Sequence, residues 1–218
     1  MIRNTIKRLE KYKYLIAILS VFNFLLTPIP INVFDFNPAH VVVINYTILI
    51  LAGSLIAAEP NSKLRTYIFG FLALVFVWVE FSQPSSQFLK AGRLVVTLML
   101  FLNFCLILLD QVTKIKEITI QFILGPILGF IYLGIIGGIF FESIHLYDPI
   151  SFDLGNSFSG YSFYYFSFIS ITTVGYGDIF PVTASAQSLT MVMNIIGQFY
   201  LAIVIAVFVG KYINVKSS

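Results

Sequence analysis

Uncharged apolar runs recur six times along the chain, at residues 14–27, 41–58, 66–81, 94–109, 118–141 and 184–210, with little sequence between them. Crossing a hydrocarbon core about 30 Å thick takes roughly 20 apolar residues as helix, and only helices and closed barrels satisfy their backbone polar groups there. The pattern therefore predicts six transmembrane helices. Between the last two lies Glu142 to Thr183, which holds an aromatic-rich run from Tyr161 to Thr172. That run is too short to span and too apolar for an ordinary loop, the profile of a re-entrant helix.

Composition agrees with a hydrocarbon solvent: 58% of the 218 residues are hydrophobic, 11% are charged, and mean hydropathy is +0.92. The net charge of +3 is modest and its basic residues cluster at segment ends, so membrane lipids are expected as partners and nucleic acid is not. Cys105 is the single cysteine. No intrachain disulfide, zinc site or iron–sulfur cluster can be assembled from thiolates, and Cys105 reads as packing.

Cytoplasmic loops carry the excess of Lys and Arg. Placing both termini in the cytoplasm puts the five basic residues from Arg3 to Lys13 inside, with Lys63, Arg65, Lys114, Lys116, Lys211 and Lys216. Only Lys90 and Arg93 then lie outside. Asp35, Asp148, Asp153 and Asp178 also fall outside, so the surface around residues 142–160 is weakly acidic and mildly concentrates cations. A signal peptide is the rival reading of the basic N-terminus, but Thr27-Pro28-Ile29-Pro30 is a poor cleavage site. The expectation is a multi-pass protein of the cell membrane.

Between the short aromatic helix and the last run lies Ser170-Ile171-Thr172-Thr173-Val174-Gly175-Tyr176-Gly177-Asp178. This segment resembles the selectivity filter of the potassium channel family. The resemblance implies a site in which backbone carbonyls replace the hydration shell of a potassium ion. Removing the ion from water without replacement would cost tens of kcal/mol, on the order expected for an unpaired buried charge. Gly175 and Gly177 tolerate the positive φ that aims successive carbonyls at one axis.

By the resemblance, the ion ligands are the carbonyls at Thr173, Val174, Gly175 and Tyr176, with the Thr173 hydroxyl closing the innermost site and Gly177 completing the strand. Val174 and Tyr176 would point away from the ion and brace the filter against its helix. Thr172 and Asp178 flank it as support. The motif occurs once, and one strand offers too few oxygens, so a homotetramer is implied. No cofactor is expected beyond permeant potassium ions.

The helix from about Ser162 to Thr172 should aim its C-terminal partial negative charge at a central cavity. At Ile169 several relatives carry a glutamate that bonds the filter aspartate, so Asp178 here needs another partner. Tyr164, Tyr165 and Phe166 occupy the place of the family's aromatic cuff, where a Tyr hydroxyl bonding to Tyr176 is the expectation and simple packing the alternative. Phe180 sits at the outer mouth, where an aromatic ring implies a site for external tetraethylammonium.

In the fifth run Gly125, Gly129, Gly134 and Gly138 form small-xxx-small pairs that admit a close neighbouring helix. In the sixth, the resemblance places a gating hinge at Gly197, with packing against the filter region as the alternative. Thr190, Met193 and Asn194 are candidates to line the cavity in part. Asn45 and Asn103, each inside a run, are expected to hydrogen-bond across helices.

Residues 1–117 read as a four-helix peripheral bundle, voltage-sensor-like but uncharged, and residues 118–218 as a pore domain of outer helix, pore helix, filter and inner helix. From Leu94 to Leu109 there is no charge, and Arg93 is expected at the outer end, reaching the interface. One charge per chain crossing the whole field would contribute about 2.3 kcal/mol per 100 mV, or roughly 9 for four chains, against the tens that steep gating uses. Weak or absent voltage dependence is the expectation. About eight residues follow Gly210, so no attached ligand-binding domain is expected.

The fold class is thus all-α and membrane-embedded, and the function is passive, potassium-selective conduction rather than catalysis, since no nucleophile–base pair, phosphate loop or metal-ligand cluster competes. A non-conducting regulatory or sensor subunit, or a protein like the potassium transporters with related pore loops, stays open as an alternative.

Overall fold

The chain is helical almost throughout in a computed structural model that describes residues 2–57, 60–114, 120–155 and 160–216. It separates into two compact units, Met1–Lys114 and Ile115–Ser218.

In the first unit α1 (Ile2–Leu25) is followed by α2 (Pro28–Phe34), α3 (Pro38–Ser54), α4 (Pro60–Ser82) and α5 (Gln87–Lys114). α1 packs on α3, α3 on α4, and α4 on α5. The run at 14–27 lies on α1, which ends at Leu25; just past it Pro28 and Pro30 start a new helix, and α2 leaves at 47° to the end of α1. Proline fits the first turn of a helix, where its missing N–H has no partner to lose, and it cannot continue the helix before it. Asp35, at φ 55°, then ends α2. Asn37 starts α3 by accepting a hydrogen bond from the Ala39 amide at 3.0 Å, with Pro38 in the first helical position.

Among the described residues four helices are long and apolar enough to cross a membrane, and five if the bent pair is one span. α3, at 17 residues, measures roughly 26 Å at 1.5 Å per residue, a little short of the hydrocarbon core. α5 extends beyond the predicted 94–109 at both ends, because Lys90, Arg93 and Asp110 interrupt hydropathy without interrupting a helix.

Amides and hydroxyls join these helices where hydrocarbon offers no other partner. Asn45 donates to the Thr27 hydroxyl at 2.7 Å and accepts from Asn23 at 2.8 Å, all at the bend after α1. Asn103 donates to Thr66 at 2.9 Å across α5 and α4. Gln111 accepts from the Tyr14 hydroxyl and donates to the Ile56 carbonyl at 2.9 Å. Leu49, Ile50, Leu100, Phe101 and Phe104 fill the core.

Arg93 differs from its expected place at the interface. It is buried, and its Nε donates to Glu80 Oε2 at 2.6 Å while Nη1 donates to the Tyr46 hydroxyl at 3.3 Å. A carboxylate within reach on α4 gives the guanidinium a partner inside the bundle, so it has no need to reach water.

The second unit runs α6 (Ile120–Tyr147), β1 (Phe152–Asp153), α7 (Ser162–Ile171), β2 (Phe180–Pro181) and α8 (Ala184–Lys216). β1 and β2 pair antiparallel, Phe152 opposite Pro181 and Asp153 opposite Phe180. The short α7 lies against α6 and α8. Glycines of α6 create its seat: an added Cβ would strike Phe168 at Gly134, Ser167 at Gly137 and Tyr164 at Gly138. At the lower end of the same helix, Gly129 leaves room for Tyr200 of α8, whose hydroxyl donates to the Pro126 carbonyl at 2.8 Å. Phe141, Phe152, Phe163 and Phe166 form one ring cluster with centroids 5.0–5.7 Å apart, which fastens β1 to the back of α7.

Candidate functional site

The site is the segment Thr172 to Asp178, which leaves the C-terminus of α7 and reaches β2. α7 starts from Tyr161 without a side-chain cap and buries Phe163, Tyr164, Phe166, Ser167, Ile169 and Ile171. Ser167, fully buried, donates to the Gly134 carbonyl at 2.7 Å and fixes the helix to α6.

A helix leaves its last four carbonyls without intrahelical partners. Here each has a donor. Phe168 O receives the Thr172 amide at 3.1 Å and the Thr172 hydroxyl at 2.6 Å. Ile169 O receives the Val174 and Gly175 amides at 2.9 and 3.0 Å, and Ser170 O receives Thr173 at 3.0 Å. Ile171 O receives Nε2 of Gln198, on α8, at 3.2 Å.

Beyond that turn the backbone alternates in hand. Thr173, Gly175 and Gly177 have φ of 61°, 52° and 77°, while Val174 and Tyr176 between them do not enter the positive region. Among the described residues a Cβ added at Gly175 or Gly177 would meet no atom within 4 Å, so φ alone calls for glycine there. Thr173 holds a left-handed φ despite its β-branch, a conformation that costs roughly 1–2 kcal/mol and that collects at functional sites.

Asp178 finds its partner in Tyr165, whose hydroxyl donates to Oδ2 at 2.8 Å. That hydrogen bond, before any other cause, raises the Tyr165 phenol above its ordinary range and keeps it a donor. Within the chain, then, the carboxylate that lacks a glutamate at Ile169 takes the Tyr165 hydroxyl. Tyr164 is buried against α6 and donates to Glu142 at 3.4 Å, and Phe166 belongs to the ring cluster.

The other candidates have the following surroundings within the single chain. Val174 and Tyr176 are 50% and 72% exposed, so the chain's own α7 does not brace them. Met193 is buried, with its methyl group against the space at Gly137, and does not face a cavity. Thr190 donates to the Ala186 carbonyl of its own helix at 2.8 Å. Phe180 is half exposed on β2. Gly197 is buried against Ile171, whose Cβ would lie 3.2 Å from an added Cβ. Packing is the role these contacts give Gly197. Gly197→Ala should lower the thermal midpoint modestly and leave open probability unchanged in single-channel recordings; a changed open probability would instead make it a hinge.

Sequence reasoning missed Gln198 and the Phe152 anchor. Gln198 had a signal, an amide inside an apolar run, which is the feature that drew attention to Asn45 and Asn103. Phe152 had none, since its ring partners come from two separate elements, α6 and α7.

Fold and site together describe a multi-pass, all-helical membrane protein with a short buried helix ending in a left-handed loop. Residues 127–214 match a family model described as "Ion channel", which supports an ion channel family, and with it passive ion conduction. Comparisons with curated proteins and with solved structures gave no significant match.

Proposed function

We propose that the chain is one of four identical subunits of a potassium-selective channel of the cell membrane, with Thr173, Val174, Gly175, Tyr176 and Gly177 as its filter. The observation that carries this is the alternation of φ at Thr173, Gly175 and Gly177 directly after a capped α7, inside the region that matches the ion channel family. Alternating hand turns successive carbonyls toward one side of the strand, which is the ligand arrangement a dehydrated cation needs.

Two surfaces support assembly. Val174 and Tyr176 are exposed among the described residues, and copies around an axis would brace them. α8 is apolar, yet its span is only 11% buried, leaving faces for lipid and for neighbouring subunits. The bent α1–α2 pair and α3 join the four long helices as six spans, with both termini in the cytoplasm, as the distribution of Lys and Arg requires. The first unit confers weak or no voltage dependence, because α5 carries no ladder of arginines.

The test is potassium flux through purified protein in liposomes, with sodium competing and barium as blocker. Barium-sensitive flux that strongly favours potassium is the expected result. No flux from the wild type under any resting potential would favour a non-conducting subunit. A second check addresses the outer mouth: four Phe180 rings should bind external tetraethylammonium. Phe180→Val should weaken that block by about tenfold, and equal sensitivity in both proteins would remove Phe180 from the site.

A further inference from the structure

Three of the last four carbonyls of α7 are held by the backbone that follows them, and the fourth is held by a side chain from another helix. Gln198 Nε2 donates to Ile171 O at 3.2 Å, from the residue next to Gly197, which itself packs on Ile171. With its nitrogen so engaged, the amide places the positive end of its N–H dipole at the helix terminus whose partial negative charge faces the base of the loop. The residue is otherwise exposed on α8, so burial does not account for its position.

We propose that Gln198 is a positioning residue that sets how tightly a cation is held at the base of the filter, by occupying the last pore-helix carbonyl and opposing the field of that helix. This rests on the channel reading above. A channel must bind its ion well enough to admit it and weakly enough to release it. A neutral donor at the helix terminus lowers cation affinity without bringing a charge into the cavity. The same bond couples α8 to the filter base, so a displacement of α8 at this level changes the affinity of the inner site.

Barium applied from the cytoplasmic side reads that site by equilibrium block. Gln198→Leu removes the donor, and Gln198→Met does so with a side chain of similar length, should the leucine variant fail to assemble. Either should tighten block by about threefold to tenfold, the range for a local dipole at a helix end, with the potassium-to-sodium ratio retained. A purely structural role predicts the opposite, since loosened packing would weaken block and lower selectivity. Normal flux with unchanged or weakened barium affinity in both variants would overturn the inference alone. No potassium flux from the wild type would remove the channel reading and this inference with it.

Discussion

Gly175→Ala should abolish potassium flux while leaving a folded, membrane-inserted protein. The residue sits at φ 52° with open space around it, so alanine meets no steric obstacle in the chain and its entire cost is conformational. An L-residue in the left-handed region is disfavoured by roughly 1–2 kcal/mol. In one copy that shift is small, but in the proposed tetramer four copies sharing an axis must all adopt the conformation for the site to exist. The combined cost of roughly 4–8 kcal/mol reduces the conducting population by about three orders of magnitude or more. The thermal midpoint of the detergent-solubilised protein should move by a few degrees at most. Flux through Gly175→Ala within about tenfold of wild type would show that the φ alternation is not what conducts the ion.

The same position shows what the sequence could disclose and what it could not. Glycine at alternate positions announces the handedness of the loop, because glycine is the residue that tolerates it. Thr173 shares that handedness without announcing it, since a β-branched residue gives no sign of positive φ until its neighbours hold it there. A short helix was legible from the aromatic density between Tyr161 and Thr172, and α7 follows at Ser162–Ile171. Its seat was legible only in part. The glycines of α6 signalled a close approach, but the approaching element, α7 with Tyr164, Ser167 and Phe168, depends on the path of the intervening chain. The partner of Asp178 was equally hidden, because Tyr164, Tyr165 and Phe166 are alike as a string and differ only by the direction each takes from the helix. Hydropathy located the apolar runs, yet it gave no sign of α2, which two prolines start at Pro28 just past the end of the first run. It also gave no sign that Arg93 pairs with Glu80, since a salt bridge 13 residues apart has no periodic signature.

That salt bridge carries the second large effect. Arg93 and Glu80 side chains are 11% and 17% exposed, with Nε and Oε2 at 2.6 Å, and the guanidinium lies 5.6 Å from the centre of the Tyr46 ring. Removing one partner leaves a charge without compensation in a poorly solvated bundle, a loss of about 3–5 kcal/mol. Arg93→Gln and Glu80→Gln should therefore each lower the thermal midpoint strongly, while the double variant, neutral at both positions, should recover most of the loss. A double variant as unstable as the sum of the singles would show that the two charges do not act as a pair. The pairing also bears on voltage. An arginine that moves outward alone carries charge across the field, but one that moves with its carboxylate carries almost none, and separating the two inside the bundle meets the cost of breaking a buried pair. Arg93→Gln should consequently leave the conductance–voltage relation as shallow as it is in the wild type. A steep relation in the wild type, lost in Arg93→Gln, would mean that the pair opens under voltage and that α5 is a sensor with one charge per chain.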